Sequence, residues 1–184
     1  MMSQNHETQE YELLKAIKDG GYILYFRHAK PDSSKDILVE EGMQQAKQIE
    51  KIFKEQKIPV QYPVLTSPAI RTMETGRIAF GDFEEGKCKS QYSLGSIHFL
   101  KEESLDNEQQ KIKEELIHTL ETPPSNGLNK VLIAHLHLFD TAQKDLPYAG
   151  MVVLKPNGIG EGYQFKSLIT LEQFMKWSDE NRTM

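Results

Sequence analysis

Apolar positions along this chain follow two rhythms that alternate. Short continuous apolar runs bounded by turn residues predict buried strands, and recurrences every three to four residues predict amphipathic helices. Tyr11, Leu13, Leu14 and Ile17 have helical spacing, and Gly20-Gly21 ends that segment with a C-cap signal. Residues 22–27 follow as a strand rich in β-branched and aromatic side chains, and 28–39 as a polar loop containing Pro31, Asp32, Ser33 and Ser34. The spacing of Met43, Ala46, Ile49, Ile52 and Phe53 predicts a helix over 40–56. A second short strand covers 63–66. Ser67-Pro68 then has the signature of a helix start, with Ser as N-cap and Pro at the first helical position; that helix runs to about Phe80 and carries Arg71 in its first turn. A weak strand signal lies at 89–92, a helix at 104–122 and a loop at 123–127. Residues 130–134 form a buried strand that ends at His135. Residues 151–154 and 163–168 read as a hairpin around Pro156-Asn157-Gly158, and 171–177 as a closing helix. Strand–helix alternation without a repeat or linker implies an α/β fold: one domain over 1–184, with a mostly parallel sheet between helical layers and a flexible tail at 1–9.

Composition narrows the picture. The chain has 184 residues, 38% hydrophobic and 27% charged, enough for a single sizeable core. Its formal charge of −5 disfavours nucleic acid or an anionic membrane as partner, so any phosphate site must be a local positive pocket. Cys88 is the one cysteine, which excludes an internal disulfide. No apolar stretch reaches membrane-spanning length, and residues 1–10 lack an apolar signal core; a cytoplasmic location is the expectation.

Against this background four residues stand together. Arg27 and His28 end the first strand, Arg71 opens the helix after the second, and His135 ends a later one. In a parallel sheet these positions share the carboxyl edge, where ligands bind. Arginine offers a planar fork of donors for phosphate oxygens, and histidine can act as nucleophile, base or acid near neutral pH. Two guanidinium groups, two imidazoles and a helix N-terminus make a site for a dianion.

The surrounding residues extend the pattern. Tyr25-Phe26-Arg27-His28-Ala29 resembles the Arg-His-Gly/Ala signature of the histidine phosphatase superfamily, the phosphoglycerate mutase-like proteins. The run LVEEGMQQA at 38–46 resembles that family's Leu-Thr-x-x-Gly-x-x-Gln-Ala segment. TSPAIRTMETGRIA at 66–79 resembles its Ser-Ser-Pro-x-x-Arg-x-x-x-Thr-Ala segment, and VLIAH at 131–135 its late strand ending in the second histidine. The matches come in order and span residues 20 to 170. The resemblance implies a three-layer α/β/α, phosphoglycerate mutase-like fold. It also implies a metal-independent phosphatase, without cofactor, acting on a small phosphorylated substrate or a phosphoprotein through phosphohistidine. His28 is then the nucleophile, Arg27 and Arg71 grip the phosphoryl oxygens, and His135 stabilises charge in the transition state. Lys30 and Ser33 are candidate substrate contacts. The short region between Gly81 and Leu105 fits the compact phosphatase branch better than a mutase-type phosphotransferase.

The chain also departs from that pattern. The second histidine reads His135-Leu136-His137, and 92–100 carries no carboxylate where the family's usual proton donor lies; Glu102, Glu103 and Asp106 come just after it. These departures keep a second class open, a catalytically weak phosphate-binding or regulatory protein. The spacing of His135 and His137 allows a metal pair, but no later histidine completes a motif. Residues 81–88 approach a P-loop, but Cys88 replaces Ser/Thr and three acidic residues would repel phosphates. Cys88 as nucleophile would need Arg where Leu94 stands, so it reads as a packed thiol.

Overall fold

A buried strand that is apolar on both faces sits at the centre of a sheet, and the computed structural model places β1 (Ile23–Arg27) there. The structure describes residues 2–95, 104–137, 139 and 145–180. In chain order the other elements are α1 (Met2–Ala16), α2 (Glu40–Gln56), β2 (Val60–Thr66), α3 (Ile70–Phe80), β3 (Cys88–Ser90), α4 (Asn107–Glu121), β4 (Asn129–Ala134), β5 (Met151–Pro156), β6 (Tyr163–Ile169) and α5 (Leu171–Glu180). A single 3-10 turn covers Tyr92–Leu94. The sheet order is β3-β2-β4-β1-β5-β6. The first four strands are parallel, and the β5–β6 hairpin joins antiparallel to β1.

The two-residue period of the strands divides the core in two. Leu24 and Phe26 of β1 and Val131 and Ile133 of β4 face one side. They pack with Leu14 and Ile17, Ile49, Ile52 and Phe53 of α2, Phe80 of α3, and Phe174 and Trp177 of α5. Ile23 and Tyr25 of β1 and Leu132 and Ala134 of β4 face the other, against Leu116 and Leu120 of α4 and Leu94. The three-layer α/β/α arrangement with a mostly parallel sheet follows from that division.

Two boundaries differ from the sequence expectation. The first helix reaches back to Met2, over residues expected to be a flexible tail. Polar residues extend a helix cheaply once packing at Tyr11 to Ile17 has nucleated it, because each adds one hydrogen bond. The third helix starts at Ile70, with Ala69 as N-cap, rather than at Ser67-Pro68. No helix among the described residues is long and apolar enough to cross a membrane.

Candidate active site

Parallel pairing aligns the carboxyl ends of three strands. Arg27 of β1 is in register with Ala134 of β4, and Thr66 of β2 with Ile133. The next residue of each strand, His28, His135 and Ser67, therefore emerges beside the others at one edge. Their backbones are knitted together: His28 N donates to Ala134 O at 2.9 Å and Ser67 N to Ile133 O at 2.9 Å. The Tyr25 hydroxyl donates to His135 O at 2.9 Å, anchoring the second histidine from below.

The helices complete the framework. Gly42 lies against the Lys30 carbonyl, where a Cβ would collide with the oxygen, so glycine lets α2 dock on the loop after His28. One turn on, Gln45 accepts the Lys30 amide at 2.8 Å. Thr75 of α3 accepts the Ala29 amide at 3.1 Å and donates to Arg71 O at 2.7 Å. The Gly, Gln and Thr of the sequence motifs thus hold the backbone around His28 and Arg71 and do not themselves line the cleft.

His28 is 5% exposed. Its Nδ1 lies 2.8 Å from Ala29 O; a carbonyl only accepts, so Nδ1 carries the proton. Its Nε2 accepts from Arg71 Nε at 3.2 Å; a guanidinium only donates, so Nε2 carries the lone pair. Both contacts define the same neutral tautomer. Burial lowers the His28 pKa to about 4, against the opposing bond to Ala29 O and with help from the positive field of His135, Arg71 and Arg27.

His135 faces His28 at 5.5 Å between ring centroids. Its Nδ1 accepts from Arg71 Nη2 at 3.3 Å, and its Nε2 lies 2.8 Å from Ser67 Oγ. Arg27 extends from the end of β1, donates from Nη1 to Leu146 O at 2.8 Å, and stacks its guanidinium 3.9 Å from the Tyr148 ring centre. Its Nε is buried without a hydrogen-bond partner among the described residues. Opposite, the loop at 31–38 is folded on itself: Pro31 and Leu38 form a bridge, and Asp32 Oδ1 accepts from the amides of Ser34 and Lys35. Asp36 accepts from the Ile70 amide at 2.8 Å and from Arg71 Nη1 at 2.6 Å. Burial works against its charge, but the amides of Ile70 and Arg71 and the Arg71 guanidinium outweigh that and hold its pKa below the ordinary value. Together these residues line a cleft of about 780 Å³, large enough for a phosphoryl group and a sizeable leaving group.

No family model matches the sequence, and no curated protein matches it significantly. Solved structures do. The protein histidine phosphatase SixA complexed with tungstate superposes with a TM-score of 0.52 at 13% identity, over 82% of this chain and 97% of that one. Phosphoserine phosphatase from Entamoeba histolytica, in complex with 3-phosphoglyceric acid, gives 0.52 at 13% identity, covering 83% and 98%. The mycobacterial glucosyl-3-phosphoglycerate phosphatase in complex with VO3 gives 0.53 at 15%, covering 80% and 98%. The chain shares its fold with these phosphatases.

Within this fold, the expected residues Arg27, His28, Arg71 and His135 do converge, and Ser33 lines the cleft. Lys30 is not among the lining residues; its Nζ pairs with Glu41 on the surface, because the backbone held by Gln45 turns the side chain toward α2. Ser67 does not cap α3. It faces His135, and Asp36 caps the helix instead. Asp106 is the N-cap of α4, accepting from the amides of Glu108 and Gln109, and is not in the cleft. Glu102 and Glu103 lie outside the described residues. His137 packs against Phe139 at 4.5 Å between ring centres, so the His135–His137 pair is divided between two environments. Cys88 is buried, and burial, then Asp82, raises its thiol to about 11; it is no nucleophile. Ser67, Asp36, Lys35 and Tyr148 were not singled out as site residues by the sequence.

Proposed function

We propose that this chain is a phosphohydrolase that cleaves a phosphomonoester or phosphoprotein through a phosphohistidine on His28, without a metal ion. One observation carries the reading. The buried, neutral His28 presents the lone pair of Nε2 to a cleft whose nearest groups are Arg71, His135 and Arg27. A neutral imidazole is the nucleophilic form, and phosphoryl transfer depends mainly on positioning and electrostatic stabilisation. That tungstate and vanadate, phosphate-like oxyanions, are bound by the similar proteins supports the same chemistry.

In the first step Nε2 attacks phosphorus as the bond from phosphorus to the leaving oxygen breaks, and the leaving oxygen takes the electron pair and then a proton from solvent. The Nδ1–H bond to Ala29 O keeps the ring oriented and steadies the positive charge that the ring gains. Arg71 and Arg27 donate to the equatorial oxygens, and His135 turns its one N–H, on Nε2, from Ser67 Oγ to the charge that develops on them. In the second step water attacks phosphorus, the Nε2–phosphorus bond breaks with its pair returning to Nε2, and the water proton leaves to solvent. The net reaction is hydrolysis.

Rapid quench with a 32P-labelled aryl phosphate tests this. The expected product is a phosphoenzyme that is labile to acid and stable to base, absent in His28→Ala. Turnover should persist in EDTA and be inhibited by vanadate. Near wild-type kcat in His28→Ala, or activity lost to EDTA and restored by zinc, overturns the mechanism. A burst of phosphoenzyme without turnover would assign the chain as a phosphate-binding relative instead.

A further inference from the structure

All three guanidinium nitrogens of Arg71 are engaged, and they are divided between two kinds of partner. Nε and Nη2 form one edge of the guanidinium plane, and they point to His28 Nε2 and His135 Nδ1 at 3.2 and 3.3 Å. That edge is the one that faces the space between the two rings. Nη1 points away and donates to Asp36 Oδ1 at 2.6 Å. Asp36 also accepts the amide of Arg71 itself at 3.3 Å and that of Ile70 at 2.8 Å. One carboxylate therefore holds both ends of the same arginine. Helix α3 has no side-chain cap from its own N-cap, Ala69, so Asp36 is also its first-turn acceptor from more than thirty residues upstream. The loop that carries Asp36 is fixed in turn by the Pro31–Leu38 bridge, by Asp32 N donating to Ile37 O at 2.8 Å, and by Leu38 N donating to Glu74 Oε2 at 2.7 Å.

We infer that Asp36 is a positioning residue for the phosphoryl reaction: it occupies the Nη1 side of Arg71 and so fixes the Nε–Nη2 edge toward the phosphoryl oxygens. A guanidinium without this anchor can rotate to offer Nη1 and Nη2 instead, and a donor misplaced by an ångström loses much of its transition-state value. The position also carries a cost in affinity, because a carboxylate beside the cradle opposes the binding of any phosphate dianion. The two effects have opposite signs on two measurable quantities. The Asp36 oxygens are committed to the Ile70 and Arg71 amides and to the Arg71 guanidinium, which suits a positioning role rather than that of proton donor.

This inference rests on the phosphohydrolase reading of the cleft. The experiment compares wild type with Asp36→Asn, which keeps the volume and one acceptor oxygen, and Asp36→Glu, which keeps the charge. Aryl and alkyl phosphates are assayed, and the affinity for inorganic phosphate is measured by calorimetry. In Asp36→Asn, kcat should fall about 10- to 100-fold, equally on both substrate types, while phosphate binds about threefold tighter or more. Asp36→Glu should retain wild-type phosphate affinity with an intermediate kcat, and it alone decides the matter should Asp36→Asn not fold. A kcat within twofold of wild type overturns the inference. So does a loss confined to alkyl phosphates, which would make Asp36 the proton donor, or weaker phosphate binding in parallel with kcat, which marks a merely structural role. If the wild type is inert on every substrate, the phosphohydrolase reading fails, whereas the calorimetric shift still reads the effect of Asp36 on the cradle.

Discussion

Acidification should destabilise this protein through His28 before it reaches most of its carboxylates. The imidazole titrates at about 4 in the folded chain against 6.5 when unfolded, chiefly because it is buried. Between those values the unfolded chain binds a proton that the folded chain refuses. Stability therefore rises with pH across this window: the contribution is intact above about 6.5 and lost as the pH falls toward 4. At 1.36 kcal/mol per unit the loss is on the order of 3 kcal/mol, a large share of the 5–15 kcal/mol that holds a typical domain. Urea denaturation of wild type and His28→Asn at intervals from pH 7.5 to 4 isolates the effect, since the other titrating groups are common to both. The wild type should lose about 3 kcal/mol more than the variant over that range. Histidine ring NMR of the folded wild type should show the same residue titrating near 4. Kinetics is the poorer probe, because the phosphate of a monoester itself titrates near pH 6. Parallel stability curves, or a His28 midpoint near 6.5 in the folded protein, would refute the argument that burial holds this imidazole neutral.

Other substitutions probe the remaining contacts. Ser67→Ala leaves His135 Nε2 without its 2.8 Å partner, so phosphoenzyme formation in rapid quench should slow about tenfold while His28 still becomes labelled. Gly42→Ala forces a methyl group onto the Lys30 carbonyl and should cost about 3 kcal/mol in a urea titration, with kcat falling too because the same loop carries Asp36. Asp106→Ala removes the cap of α4, outside the cleft lining, and should cost about 1 kcal/mol with kcat unchanged.

Much of the fold and of the cleft is legible in the sequence, for physical reasons. β1 and β4 are buried on both faces and so read as continuous apolar runs, and the histidines at their carboxyl ends, His28 and His135, stand out as polar residues in an apolar setting. α2 matches its predicted span because its apolar face has a clean helical period. The start of α3 is misread because Ser67-Pro68 satisfies the local rules for a cap, while the hydrogen bond to His135, 68 residues away, decides where the serine goes. Asp36 leaves no signal at all. It lies in a polar loop among Asp32, Ser33, Ser34 and Lys35, and only tertiary folding brings it to a helix whose own N-cap is alanine. Lys30 is misplaced because nothing local distinguishes a side chain pointing into the cleft from one pointing at Glu41.

The donors of Arg71 have a consequence for how tightly a phosphate can be held. The N–H groups that would grip the oxygens are the same ones that bond to the lone pairs of His28 and His135. A phosphate monoester entering the cleft must exchange those bonds one for one, and its net gain in the ground state is correspondingly small. In the proposed reaction the exchange becomes more favourable as the His28 lone pair is drawn onto phosphorus, because from then on Arg71 Nε loses His28 Nε2 as a competing acceptor. On that reading, part of the binding energy is deferred from the Michaelis complex to the transition state, an arrangement that would favour kcat over affinity and ease release of the phosphate product.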